Sequence, residues 1–178
     1  MSILKVARMG HPVLREQTRP LELSEIAEPT TQRLIDDMFE TMREHQGIGL
    51  AAPQVHLSLR LFVAGIDDAE ASLPLVVMIN PEIIPVGKVA NEDWEGCLSI
   101  PDIRGLVTRP NEIKIHALDR YGQELSMTAS GFPARVIQHE IDHLDGILFL
   151  DRMTSLKSLT FLEEHVRYWQ QEETPSNA

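Results

Sequence analysis

At 178 residues, 43% apolar and 24% charged, the chain has the size and composition of one globular domain able to bury a full core. Its formal net charge of −11 repels phosphate backbones, and no basic cluster offsets it, so nucleic acid is excluded as a general partner. No apolar run approaches the roughly 18 residues that a bilayer span needs, so no membrane association is expected.

The opening, MSILKVARMGHPVLREQ, has neither the apolar core nor the small-residue cleavage site of a secretory signal. With one cysteine there is no internal disulfide, which fits a reducing compartment. A cytoplasmic location is expected, or an organellar matrix. Residues Thr31–Glu44 carry Leu34, Ile35, Met38, Phe39 and Met42 on one helical face, with Gly47 as a stop. Short apolar runs follow at Leu61–Ala64, Leu75–Ile79 and Ile83–Val86. Glu112–Leu118 alternates as a half-buried strand, and Tyr121-Gly122 reads as a hairpin connection. A second helix is predicted over Phe132–Leu144, with Ser130 as cap, Pro133 in the first turn and Gly146 at the end. A third is predicted over Ser155–Gln171, carrying Leu156, Leu159, Leu162, Val166 and Trp169. Glu173–Ala178 reads as a frayed tail. The fold class expected is α+β, as one catalytic domain over 1–172 with antiparallel sheets around a central helix.

That central helix carries His139-Glu140-Ile141-Asp142-His143, an HExxH. Histidines four residues apart stack on one helical face, so both imidazoles reach one metal ion, while Glu140 is turned aside to take a proton from water. The alternative for such a pattern is a helix with two surface histidines. A catalytic metal normally has a third protein ligand. The motif continues to Gly146, but Phe149 stands where a metzincin needs its third histidine, so that class fails. A zinc endopeptidase would draw its third ligand from Glu163 or Glu164, which also read as the solvated face of an amphipathic helix. Cys97 is the other candidate, either a thiolate ligand or a small buried hydrophobe.

Three stretches settle the comparison: Gly47-Ile48-Gly49-Leu50-Ala51-Ala52-Pro53-Gln54, Glu95-Gly96-Cys97-Leu98-Ser99 and Gln138-His139-Glu140-Ile141-Asp142-His143. In kind, order and spacing they resemble the GxGLAAxQ, EGCLS and QHExDH motifs of peptide deformylases, and the likeness runs from about residue 3 to 170. The resemblance implies a hydrolase that removes the formyl group from the N-terminal methionine of new peptides and releases formate. It implies a divalent metal on Cys97, His139 and His143, Fe(II) by family habit, although one sulfur with two nitrogens equally suits Zn, Ni or Co. Glu140 would be the general base. The Gln54 side-chain amide and the Leu98 backbone N–H would meet the developing oxyanion.

Phe132 and Val136 share the helical face of His139, and with Ile48 they are candidates for an apolar slot that takes the methionine side chain; each also reads as core. Backbone groups around Ile48, Gly49 and Gly96 would pair with the peptide as an added strand. Arg104 would contact the peptide beyond its first residue, its other reading being a solvated surface arginine. Asp93, Trp94 and Arg135 depart from the residues common in bacterial members, the last placed two turns from the metal end of its helix. No basic run on the last helix supports docking to the ribosome.

Overall fold

The computed structural model describes residues 2–66 and 72–170. In chain order, helices α1 (Leu23–Ile26) and α2 (Pro29–Glu44) precede strands β1 (Gly49–Ala51), β2 (Leu61–Ile66), β3 (Leu73–Pro85), β4 (Ala90–Cys97), β5 (Ile100–Pro110), β6 (Glu112–Leu118) and β7 (Glu124–Ser130). Helices α3 (Gly131–Leu144) and α4 (Phe149–Arg152), strand β8 (Thr160–Phe161) and helix α5 (Leu162–Tyr168) follow. Five strands form one sheet in the order β1-β2-β3-β6-β7, and β4, β5 and β8 form another; every named strand pair is antiparallel.

Strand β2 shows why the larger sheet needs cover on both faces. Leu61, Phe62, Val63 and Ala64 are all fully buried, so its apolar residues serve both sides of the pleat. Phe62 and Ala64 pack with Met78, Ile113 and Ile115 against Ile137 and Ile141 of α3. Leu61 and Val63 pack with Val77 and Ile79 against Ile35, Met38 and Met42 of α2. Helix α2 thus buries the face read from its sequence, starting two residues earlier because Pro29 occupies the first turn, where its missing N–H costs nothing. It stops at Gln46, which takes the left-handed turn (φ 54°) one residue before Gly47. Helix α3 is buried at every position from Ala134 to Leu144, as a central helix must be. Gly146 ends it with φ 73°, whereas Ser130 caps it without a side-chain hydrogen bond.

Two expectations are corrected. The runs at 75–79 and 83–86 are one strand, β3, continuous through a bulge between Ile79 and Glu82. Asn80 and Pro81 look like a turn in sequence. Here Asn80 adopts φ 51° in the bulge and its amide exchanges hydrogen bonds with both backbone groups of Leu21, at 2.9 and 2.8 Å. The helix expected over Ser155–Gln171 is a single 3-10 turn (Leu156–Ser158), then β8, then only Leu162–Tyr168. Leu156 and Val166 of the supposed apolar face are 69% and 47% exposed, and Thr160-Phe161 instead pairs with the edge of β5. Gln171 and the tail at Glu173–Ala178 lie outside the described residues. No helix among the described residues is long and apolar enough to cross a membrane.

Candidate metal centre

The centre forms where the end of β4 meets the middle of α3. His139 and His143 lie one turn apart on α3. Strands β4 and β5 form a hairpin that pairs Cys97 with Ile100, leaving Leu98-Ser99 as its two-residue tip. That tip brings the Cys97 Sγ to 3.2 Å from His143 Nε2. One ligand atom each from Cys97, His139 and His143 lie within 4.8 Å of one another. Burial alone raises the Cys97 thiol, but His143 and His139 beside it bring it well below its usual value. His139 moves the opposite way: burial lowers it, and Cys97 and Glu95 more than reverse that. A deprotonated sulfur with two imidazoles is the donor set that zinc, iron, nickel and cobalt accept, so these residues fit a divalent ion.

Of the two histidines only His139 is held from behind, since His143 Nδ1 has no hydrogen-bond partner among the described residues. The His139 Nδ1–H donates to Glu95 Oε2 at 2.9 Å, which turns Nε2 toward Cys97 and His143. Glu95 in turn accepts two hydrogen bonds from Arg109, at 2.8 and 2.9 Å, and one from Arg135 at 2.8 Å. Arg109 continues to Asp142 at 2.7 Å, and Asp142 also accepts from Arg152. Burial raises the Glu95 carboxyl, but its hydrogen bonds with Arg109 and His139 hold it far below the ordinary carboxylate range. Glu95, Arg109, Arg135 and Asp142 are each at most 5% exposed. No spacing in the sequence predicts this network. Glu95 stands in the EGCLS-like stretch, and Arg135 is a lone cation in an apolar stretch, a signal of a buried partner; Arg109, among Thr108, Pro110 and Asn111, carries no such signal. Arg135 lies one turn from His139 and two from His143, and through Glu95 it bears on His139.

On the open side the polar groups are not paired off. Glu140 Oε2 is buried with no hydrogen-bond partner among the described residues. Burial raises Glu140 to about 7, against the opposing pull of His139 and His143. A Cβ on Gly49 would overlap the Glu140 carboxylate, so only glycine leaves room for that side chain. Gln54 is 2% exposed, which removes its reading as a surface loop residue. Its Oε1 accepts from the Ala51 N–H at 2.8 Å, and its Nε2 faces Cys97 Sγ (3.5 Å) and Ser99 Oγ (3.3 Å).

A cavity of about 580 Å³ opens over these groups. It brings together Ile48, Gly49, Gln54, Gly96, Cys97, Leu98, Arg104, Phe132, Val136, His139 and Glu140; His143 is buried beneath, at 1% exposure. Val136 is a buried wall (5% exposed), whereas Ile48 and Phe132 stand at the mouth (40% and 41%). The Arg104 guanidinium lies on Gly96, where any Cβ would displace it. The glutamates 163 and 164 do not line the cavity, and Glu164 pairs with Arg167 at the surface.

An α+β fold with a Cys/His/His cluster, an unpaired buried carboxylate beside it and a cleft above has the equipment of a metal-dependent hydrolase. Over residues 3–159 the chain matches the sequence profile of the Polypeptide deformylase family. It is 39% identical over 170 residues to a peptide deformylase of Leptospira biflexa, covering 92% of this chain and 95% of that one. It is 42% identical over 164 residues to peptide deformylase 1 of Bordetella pertussis (89% and 92% covered). A crystal structure of the class I type b peptide deformylase of Acinetobacter baumannii bound to Met-Ala-Ser superposes with a TM-score of 0.81 at 38% identity, covering 86% of this chain and all of that one. The chain belongs to the polypeptide deformylase family, and hydrolytic removal of a formyl group from peptides is its activity.

Proposed function

We propose that Cys97, His139 and His143 hold one divalent ion, and that the enzyme deformylates the N-formyl-methionine end of newly made peptides in the cytoplasm. The observation that carries this is the convergence of the three ligand atoms within 4.8 Å beside a buried, unpartnered Glu140 oxygen. When bound, the ion supplies Lewis acidity that brings the pKa of water down to about 7. Fe(II) is the ion we favour, since a thiolate with two imidazoles accepts it and the family resemblance points to it.

The remaining steps belong to side chains. Glu140 takes a proton from the attacking water and returns it to the amine as the formyl C–N bond breaks, giving formate and a free N-terminus. The Gln54 Nε2–H and the Leu98 backbone N–H donate to the carbonyl oxygen as charge grows on it. Gln54 is pre-set for this because its carbonyl end is already fixed by Ala51. Val136, Phe132 and Ile48 supply an apolar slot for the methionine side chain, and the backbone at Ile48, Gly49 and Gly96 pairs with the peptide as a strand. Arg104 contacts the peptide past its first residue. The direct test is formate release from formyl-Met-Ala-Ser by enzyme loaded with Fe(II) under anaerobic conditions. Turnover is expected, and its absence, with peptide-bond cleavage in its place, would overturn the assignment.

A further inference from the structure

Helix α5 takes no part in that chemistry, yet it closes one side of the cavity. Strand β8 anchors its start, Thr160 pairing with Arg104 and Phe161 with Ile103. Leu162, the first residue of the helix, therefore reaches the cavity lining. One turn on, His165 is 6% exposed and sets its ring edge-on to Trp94, with centroids 4.4 Å apart. Trp169 meets the same indole at 5.5 Å. Neither His165 nitrogen has a hydrogen-bond partner among the described residues. Burial and the charge of Arg104 both lower its pKa, and the ring braces Trp94 through an edge-to-face contact. Trp94 itself is half-buried, and it lines the cavity.

Strand geometry says what passes that indole. Trp94 and Gly96 both line the cavity, across the register shift that β4 makes between Glu95 and Cys97. Trp94 lies three residues, or about 10 Å, from Cys97 at a rise of about 3.3 Å per residue. A peptide whose formyl end is at Cys97, and which adds as a strand at Gly96, runs along β4 so that its second residue passes Arg104 and its third reaches Trp94.

We propose that Trp94, flanked by Leu162 and held by His165, is a specificity-determining wall that selects a large apolar side chain at the third residue of the formyl peptide. This rests on the deformylase reading and on strand addition at Gly96. Trp94 and Leu162 touch the substrate, and His165 is a positioning residue.

The experiment compares kcat/KM for formate release from formyl-Met-Ala-Leu and formyl-Met-Ala-Ser by the metal-loaded enzyme. The leucine peptide is expected to be better by roughly three- to tenfold, as partial burial of one leucine side chain allows. Trp94→Ala brings that ratio to about one. His165→Ala lowers it through KM, and His165→Phe, which keeps a flat ring, restores it. Trp94→Phe, expected to keep an intermediate ratio, covers the case in which the alanine variant does not fold. The chain has two tryptophans, so Trp169→Phe leaves Trp94 as the sole indole. Its emission should then shift more with unformylated Met-Ala-Leu than with equal Met-Ala-Ser. An equal wild-type ratio, a ratio unchanged in Trp94→Ala, or an equal loss on both peptides would overturn the wall. No formate from either peptide would remove the deformylase reading as well, whereas equal rates in an active enzyme remove only the wall.

Discussion

The two sides of helix α3 are built on opposite terms. Behind His139, every charge is satisfied: Glu95 takes three arginine hydrogen bonds and one from His139, and Asp142 takes bonds from two arginines. In front, Glu140 is buried with an unpartnered oxygen, and Gln54 shows its amide to the sulfur and a neighbouring hydroxyl over long distances. Satisfied groups hold position; unsatisfied ones are free to bond what arrives. Rigidity and reactivity are thus separated across the width of one helix, and the glycine at 49 marks the boundary, since it alone admits Glu140 to the open side.

The sharpest way to break this contrast is on the open side. Glu140→Gln should keep the metal ligands intact and reduce kcat/KM by about 10²–10⁴ or more, checked by formate release alongside metal analysis. Wild-type kcat/KM should fall with acidity as Glu140 takes up its proton. Burial sets that group at about 7 in the metal-free chain, and the ion's charge draws it lower, so the acid limb lies below pH 7 and disappears in the variant. Near-normal turnover in Glu140→Gln would remove Glu140 from the reaction.

On the paired side, Glu95→Gln leaves Arg109 and Arg135 without their buried counter-charge and His139 without its acceptor. Unfolding by denaturant should show a loss of about 3–5 kcal/mol, and metal affinity should drop roughly 10- to 100-fold. The folded Glu95 carboxyl lies far below its unfolded value of 4.5. The stability it contributes is therefore complete above pH 4.5 and is lost as pH falls further, so the variant should lose part of the wild type's acid sensitivity. A fully stable Glu95→Gln with normal metal affinity would show the network to be ornamental. Gln54→Leu should cost about 3 kcal/mol of transition-state stabilisation, falling on kcat. A change in KM alone would mean that Gln54 binds only the ground state. Least of all, replacing Glu163 and Glu164 by Gln should alter stability by less than about 0.5 kcal/mol and leave the metal in place; metal loss there would revive the peptidase alternative.

The same division explains what could be read in the sequence. On the open side the histidines four apart on one helix carry their geometry in their spacing, whereas the places of Gln54 and Cys97, which meet partners 43 and 46 residues away, follow from the resemblance of their motifs. The paired side is assembled from β4, β5 and α3 through contacts 14 to 44 residues apart, and no spacing rule links Glu95 to Arg109, Arg135 or His139. The fold divides similarly. Helix α2 buries the stripe its periodicity announces. The segment from Ser155 has helical spacing too, but an open edge on β5 recruits Thr160-Phe161 as a strand, a tertiary demand that local periodicity does not contain.

The central claim is that Cys97 is a ligand and not merely a buried small residue. It is tested most directly by preparing Cys97→Ser and Cys97→Ala anaerobically with Fe(II), then measuring bound metal and formate release in the same samples. The account predicts that both fall together in folded protein, while the double Gln variant at 163 and 164 retains both. Cys97 variants that keep their metal and still release formate would contradict it.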